Sequence, residues 1–180
     1  MWIWLGIIVG VVALDQLTKW LAVTFLTRSE SVAVIPGVLQ LTYVENEGAA
    51  FGMLSEHRWV FMIISTVAIL AMLVYLWKFR PTSRFACTAL SMVIGGGIGN
   101  MIDRVYLNYV IDFIDFCAFP ELWVWVFNVA DACVCVGGVM LALWCILTIV
   151  AEAKEEKAAK AAKKEKAENG DGSEDASHEE

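Results

Sequence analysis

Two aspartates in apolar surroundings are the residues best placed to do chemistry. Asp112 sits in Val110-Ile111-Asp112-Phe113, and Asp131 follows Phe127-Asn128-Val129-Ala130 and opens a long apolar segment. A carboxylate in such a segment is expensive, and it persists where it faces protein or a water-filled cavity. Two that meet in one cleft would share a proton and could activate a water molecule. Asn128 and Asp131, three apart, point the same way on a helix, so Asn128 could donate to a carboxylate or to a bound peptide.

Two further polar groups interrupt apolar runs. In Asp15-Gln16-Leu17-Thr18-Lys19 the acid precedes the base by four residues, so the two share a helix face and can pair. They read either as a self-satisfied ion pair or as a polar cluster facing a cleft. Asn100, Asp103 and Arg104 also share one face. They read either as a polar cap at a helix end or as a group in which Arg104 fixes a neighbouring carboxylate. Glu45-Asn46-Glu47-Gly48-Ala49-Ala50-Phe51-Gly52 is an ordinary turn, or a place where small residues let backbone approach a ligand.

Composition excludes several alternatives. The chain is 59% hydrophobic with mean hydropathy +0.64, against roughly 45–50% for a soluble domain, which implies a polytopic membrane protein. The net charge of −7 is spread over the chain, the part from Ala151 onward holding six lysines against ten acids. No basic patch points to nucleic acid. The histidines, His57 and His178, lie outside the apolar runs, against a His-based triad or His-ligated zinc. Cys87, Cys117, Cys133, Cys135 and Cys145 are odd in number and show no disulfide or metal spacing, so they read as small apolar side chains. Neither a metal nor an organic cofactor is expected.

Four runs are long enough to cross a membrane, about 20 residues being needed: 2–25, 58–79, 85–104 and 123–150. A cleaved signal peptide is a poor reading of the first, which lacks a basic n-region and exceeds a typical apolar core. Trp2, Trp59, Trp77, Trp123 and Trp125 fit interfacial belts at span ends. Lys78, Arg80 and Arg84 cluster in a short loop that the positive-inside rule places in the cytoplasm, together with both termini. The loops at 27–57 and 105–122 then lie outside. Val32, Val34, Val38, Leu41, Tyr43 and Val44, broken by Pro36-Gly37, predict a small outer hairpin. Gly95 and Gly99 permit close helix packing. The expected fold is all-α: a four-helix membrane domain over 1–150 with a small extracytoplasmic hairpin between the first two helices. A charged cytoplasmic tail follows over 151–180, helical to about Glu168 and disordered from Asn169.

Taken in order, Asp15 to Lys19, Asn46 to Phe51, Gly99-Asn100-Met101-Ile102-Asp103-Arg104, Val110 to Phe113 and Phe127 to Asp131 resemble the motifs of bacterial lipoprotein signal peptidase, or signal peptidase II. The resemblance covers roughly residues 10–150, and the tail lies outside it. It implies a four-helix aspartic endopeptidase of the bacterial cytoplasmic membrane, its active site near the outer face under a cradle built from the hairpin. Such enzymes cut prolipoproteins just before a diacylglyceryl-modified cysteine and are inhibited by the cyclic peptide globomycin. The family's catalytic pair maps onto Asp112 and Asp131. Its other motif residues map onto Asp15, Lys19, Asn46, Gly48, Asn100, Asp103, Arg104, Asn128 and Ala130. Membrane lipid is the expected surrounding and a monomer the expected state.

Two rival readings use the same residues. A transporter or assembly factor would run a proton path through Asp15, Lys19 and Asp131, but it has no reason to align a loop aspartate with a helix aspartate. A Ser/Lys peptidase based on Lys19 would need Ser65 or Ser91, neither of which has a nucleophile setting.

Overall fold

A computed structural model describes residues 2–27, 31–47, 58–79, 81–119, 121 and 124–171. The first helix, α1, covers Trp2–Leu26. Strands β1 (Val32–Ile35) and β2 (Leu39–Asn46) follow. Helix α2 covers Arg58–Val74 and ends in a wider π-helical turn, Tyr75–Phe79. Helix α3 spans Arg84–Tyr106, with Ser83 as its N-cap accepting the Ala86 amide. Strands β3 (Val110–Phe116) and β4 (Val126–Phe127) precede α4, Val129–Asp171. Four of these helical segments are long and apolar enough to cross a membrane, so the chain is a multi-pass membrane protein.

The chain divides into two compact units, Met1–Leu141 and Ala142–Glu180. The second consists, over its described residues, of the distal part of α4. There Lys160 and Glu156 pair one turn apart on the exposed surface, an arrangement that contributes only tenths of a kcal/mol.

In the first unit α1 and α3 pack closely because glycines line the crossing. A methyl group on Gly95 would strike the Val11 side chain, and one on Gly99 would strike the Asp15 carboxylate. Gly96 similarly admits the backbone of Ala130, at the start of α4. Without a hydrophobic drive between helices in lipid, such close approach and interhelical hydrogen bonds supply the cohesion. An apolar cluster of Ile8, Leu76, Cys87, Leu90 and Ile94 fills one end of the unit. Ala22 and Leu26 of α1 form a second cluster with Ile111 and Phe113 of β3.

The predicted turn at Pro36-Gly37 is present, Gly37 taking a φ of +72° that a side chain would strain. The all-α expectation needs correction at the sheet. The pair β1–β2 is half of a four-stranded antiparallel sheet in the order β1-β2-β3-β4. Its third strand comes from the segment read as a plain loop, where a β-branched and aromatic run pairs with β2 from Leu39↔Phe116 to Asn46↔Val110. The expected fourth span also starts late. Val126 and Phe127 bond to β3 as a strand, and the helix begins only at Val129. Asp131 therefore lies in the first turn of α4 and not well inside a span that begins at 123. Trp123 and Arg80 lie outside the described residues, and the helix after the fourth span continues to Asp171.

Candidate active site

The site is built where α1, α3, β2, β3 and the start of α4 converge. Its centre is Lys19, only 2% exposed. The ammonium lies 2.9 Å from Asp15 Oδ2 and 2.8 Å from Asp103 Oδ2, and donates to Asn100 Oδ1 at 2.8 Å. Both readings of the Asp15–Lys19 pair hold, since the pair forms and also joins a larger polar cluster. Buried ions are tolerated only where partners compensate their lost hydration. That condition is met, because among the described residues no buried side-chain polar atom lacks a partner.

Each partner of Lys19 ties down another element. Asp15 Oδ1 accepts the Ala130 amide of α4 at 2.9 Å. Asp103 Oδ2 accepts the Ile111 amide of β3 at 3.1 Å, which fixes the Val110–Ile111 peptide, one residue before Asp112. Asn100 carries the network onward, its Nδ2 donating to Asp131 Oδ1 at 2.7 Å. So the polar residues at the end of α3 form a hub, not a capped helix terminus.

Asn128 joins the two aspartates. Its Nδ2 donates to Asp112 Oδ1 at 2.6 Å and to Asn100 Oδ1 at 3.0 Å. Its backbone N–H donates to Asp131 Oδ2 at 3.2 Å, while its Oδ1 accepts the Asp131 amide at 2.9 Å. That reciprocal pair is a capping box, with Asn128 as N-cap and Asp131 at the third helical position. The device that starts α4 therefore also sets the Asp131 rotamer. Asp112, 2% exposed, holds its second oxygen against Asn46 Nδ2 of β2 at 2.8 Å. Arg104 donates to the Asn100 carbonyl at 3.3 Å and interacts electrostatically with Asp131, Asp112 and Asp103.

Burial raises the pKa of Asp112 most strongly, and the charge of Asp131 adds to the rise. The hydrogen bonds from Asn46 and Asn128 and the charge of Lys19 oppose it, and the pKa is pushed up to about 6. An aspartic acid that holds a proton near neutral pH, beside a second carboxylate, can serve as a general acid while its neighbour serves as a base.

Both the sequence and the fold match known proteins. Residues 7–147 match the family model described as signal peptidase (SPase) II. The chain belongs to the signal peptidase II family. It is 47% identical over 135 residues to the lipoprotein signal peptidase of Caldanaerobacter subterraneus subsp. tengcongensis, covering 75% of this chain and 90% of that protein. To the lipoprotein signal peptidase of Clostridioides difficile it is 40% identical over 148 residues, covering 82% and 95%. A solved structure described as a bacterial membrane enzyme, obtained by the in meso method at 2.3 Å, superposes with a TM-score of 0.75 at 33% identity. It covers 81% of this chain and 88% of that one. This family member is thus a membrane peptidase.

Of the residues singled out from sequence, Asp15, Lys19, Asn46, Asn100, Asp103, Arg104, Asn128, Ala130, Asp112 and Asp131 converge on this one network. Gly48, like 49–57, lies outside the described residues. Sequence reasoning missed two contributors. One is the backbone N–H of Ile111, which no residue type announces. The other is the side chain of Gln16, which stood inside the Asp15–Lys19 motif without a role.

Proposed function

We propose that Asp112 and Asp131 are the catalytic pair of an aspartic endopeptidase that releases the signal peptide of diacylglyceryl-modified prolipoproteins, cutting just before the lipidated cysteine. The single observation that carries this reading is Asn128, which bonds both carboxylates at once. A proton path needs spaced carriers, whereas hydrolysis needs two acids held on one point.

In this mechanism Asp112 carries the shared proton and Asp131 is the base. A water between them gives a proton to Asp131 as its oxygen bonds to the scissile carbonyl carbon. Asp112 protonates the carbonyl oxygen, giving a neutral gem-diol. Asp131 then passes its proton to the departing cysteine nitrogen as the C–N bond breaks, and Asp112 recovers a proton from the gem-diol hydroxyl. The pair titrates as one coupled unit. Lys19 and Arg104 offset the four carboxylates of the described cluster. No metal or organic cofactor enters.

The site faces the outer leaflet of the bacterial cytoplasmic membrane, with both termini and the 151–180 tail in the cytoplasm, as the positive-inside rule orients Lys78, Arg80 and Arg84. The β1–β2 hairpin forms part of a cradle over the scissile bond, where globomycin competes. The enzyme works as a monomer in lipid.

The test is cleavage of a diacylglyceryl-modified prolipoprotein in detergent, with the unlipidated precursor in parallel. Asp112→Asn and Asp131→Asn should each lower kcat by about 10³-fold, within the range for losing a general acid or base, with the fold retained. Full cleavage by either variant would overturn the pair. Proton flux without proteolysis would restore the transporter reading.

A further inference from the structure

Gln16 is a polar side chain of the α1–α3 crossing to which the catalytic scheme gives no part. Its Nε2 lies 3.0 Å from Asp103 Oδ1, 3.2 Å from Asp15 Oδ2 and 3.2 Å from the Gly99 carbonyl oxygen. It therefore donates to both carboxylates that flank Lys19 and to the backbone of the facing helix. The absence of a side chain at Gly99 brings Asp15 and its neighbour close enough to do so.

Asp103 has two jobs divided between its oxygens. Oδ2 meets Lys19 and the Ile111 amide, while Oδ1 meets Gln16. A carboxylate held at both oxygens cannot rotate, so the Ile111 peptide is held too, and Asp112 is the next residue. A neutral amide achieves this without adding charge to a cluster where Lys19 and Arg104 face Asp15, Asp103, Asp112 and Asp131.

We infer that Gln16 is a positioning residue for hydrolysis: its amide locks Asp103, which holds the Val110–Ile111 peptide and so places the adjoining Asp112 opposite Asp131. This rests on the reading of Asp112 and Asp131 as the catalytic pair. The role belongs to a hydrogen-bond donor and not to side-chain bulk. Gln16→Met keeps the volume and removes the donor. Gln16→Glu keeps the shape, donates when protonated, and repels Asp103 when ionised.

The experiment measures kcat and KM across pH 5–9 for wild type, Asp131→Asn, Gln16→Met and Gln16→Glu, alongside hydrogen exchange at the Ile111 amide. Gln16→Met should lower kcat by about tenfold, the scale of one lost bond to a charged group, with KM within about twofold. Gln16→Glu should be impaired at pH 8 and recover toward pH 5, where its acid form donates. Ile111 should lose exchange protection in Gln16→Met. Wild-type kcat and pH profile in both variants would overturn the role, as would a loss of activity matched by loss of folded protein. Unchanged Ile111 protection overturns it whether or not the wild type cleaves, whereas activity surviving in Asp131→Asn strikes only the catalytic pair.

Discussion

Helices α2 and α3 are both apolar enough to cross a membrane, yet they do opposite work. In the most apolar stretch of the second span, Met62–Phe79, 11% of residues are buried within the protein; in that of α3 the share is 50%. Val67, Ile64 and Leu70 of α2 point away from the protein, toward what is lipid in a membrane. Helix α3 turns Gly95, Gly96 and Gly99 toward α1 and α4 and its Asn100, Asp103 and Arg104 toward the aspartates. Hydropathy alone would rank α2 as the better span. The lesson is that apolar content specifies insertion, while the few polar residues that depart from it specify where helices must meet.

The largest effect that would break this contrast comes from its centre. Lys19→Met preserves bulk but leaves Asp15 and Asp103, 0% and 3% exposed, without their shared cation. Removing one partner of a buried ion pair costs about 3–5 kcal/mol. The variant should lose most of its thermal resistance, read as folded protein remaining after heating in detergent. Wild-type resistance would mean that the cluster is not buried as described.

A smaller effect, on acidity, sharpens the assignment of the proton. In the proposed mechanism Asp112 acts as the acid in its protonated form, so kcat/KM should fall as pH rises through a limb near 6 in the free enzyme. The Asn46 amide lowers the pKa of Asp112. Asn46→Ala removes it, so the limb should move to higher pH while the peak rate drops. A limb moving to lower pH would assign the proton elsewhere. The smallest effect belongs to α2. Val67→Ala, at a position 61% exposed, should change stability by no more than about 0.5 kcal/mol and leave kcat unaltered. A loss comparable to Lys19→Met would erase the distinction between the two helices.

Much of this molecule was legible before any coordinates. Four spans follow from runs of apolar residues, because the bilayer demands about 20 of them per crossing. The pairing of Asp15 with Lys19 follows from helical spacing alone. The hairpin around Pro36-Gly37 follows from β-branched residues broken by a turn. Asp112 and Asp131 stood out because a carboxylate in apolar sequence needs a reason. The order of the motifs pointed to signal peptidase II.

Other features were decided by tertiary structure. That Asp112 lies on a strand, and that Val126–Phe127 is strand and not the start of α4, depends on pairing with β2 and β3, distant in sequence. A short apolar run reads equally as strand or helix until a partner appears. The capping box that orients Asp131 was present as Asn128 and Asp131, but its meaning required the helix to begin at Val129. The work of Gln16 and of the Ile111 amide was invisible for a deeper reason. A hydrogen bond between segments far apart in the chain leaves no periodicity, and a backbone N–H is the same group at almost every residue. Sequence determined which chemistry this chain carries and which segments enter the membrane. Only the packing of α1 against α3, made possible by glycine at the crossing, decided which oxygen each donor meets.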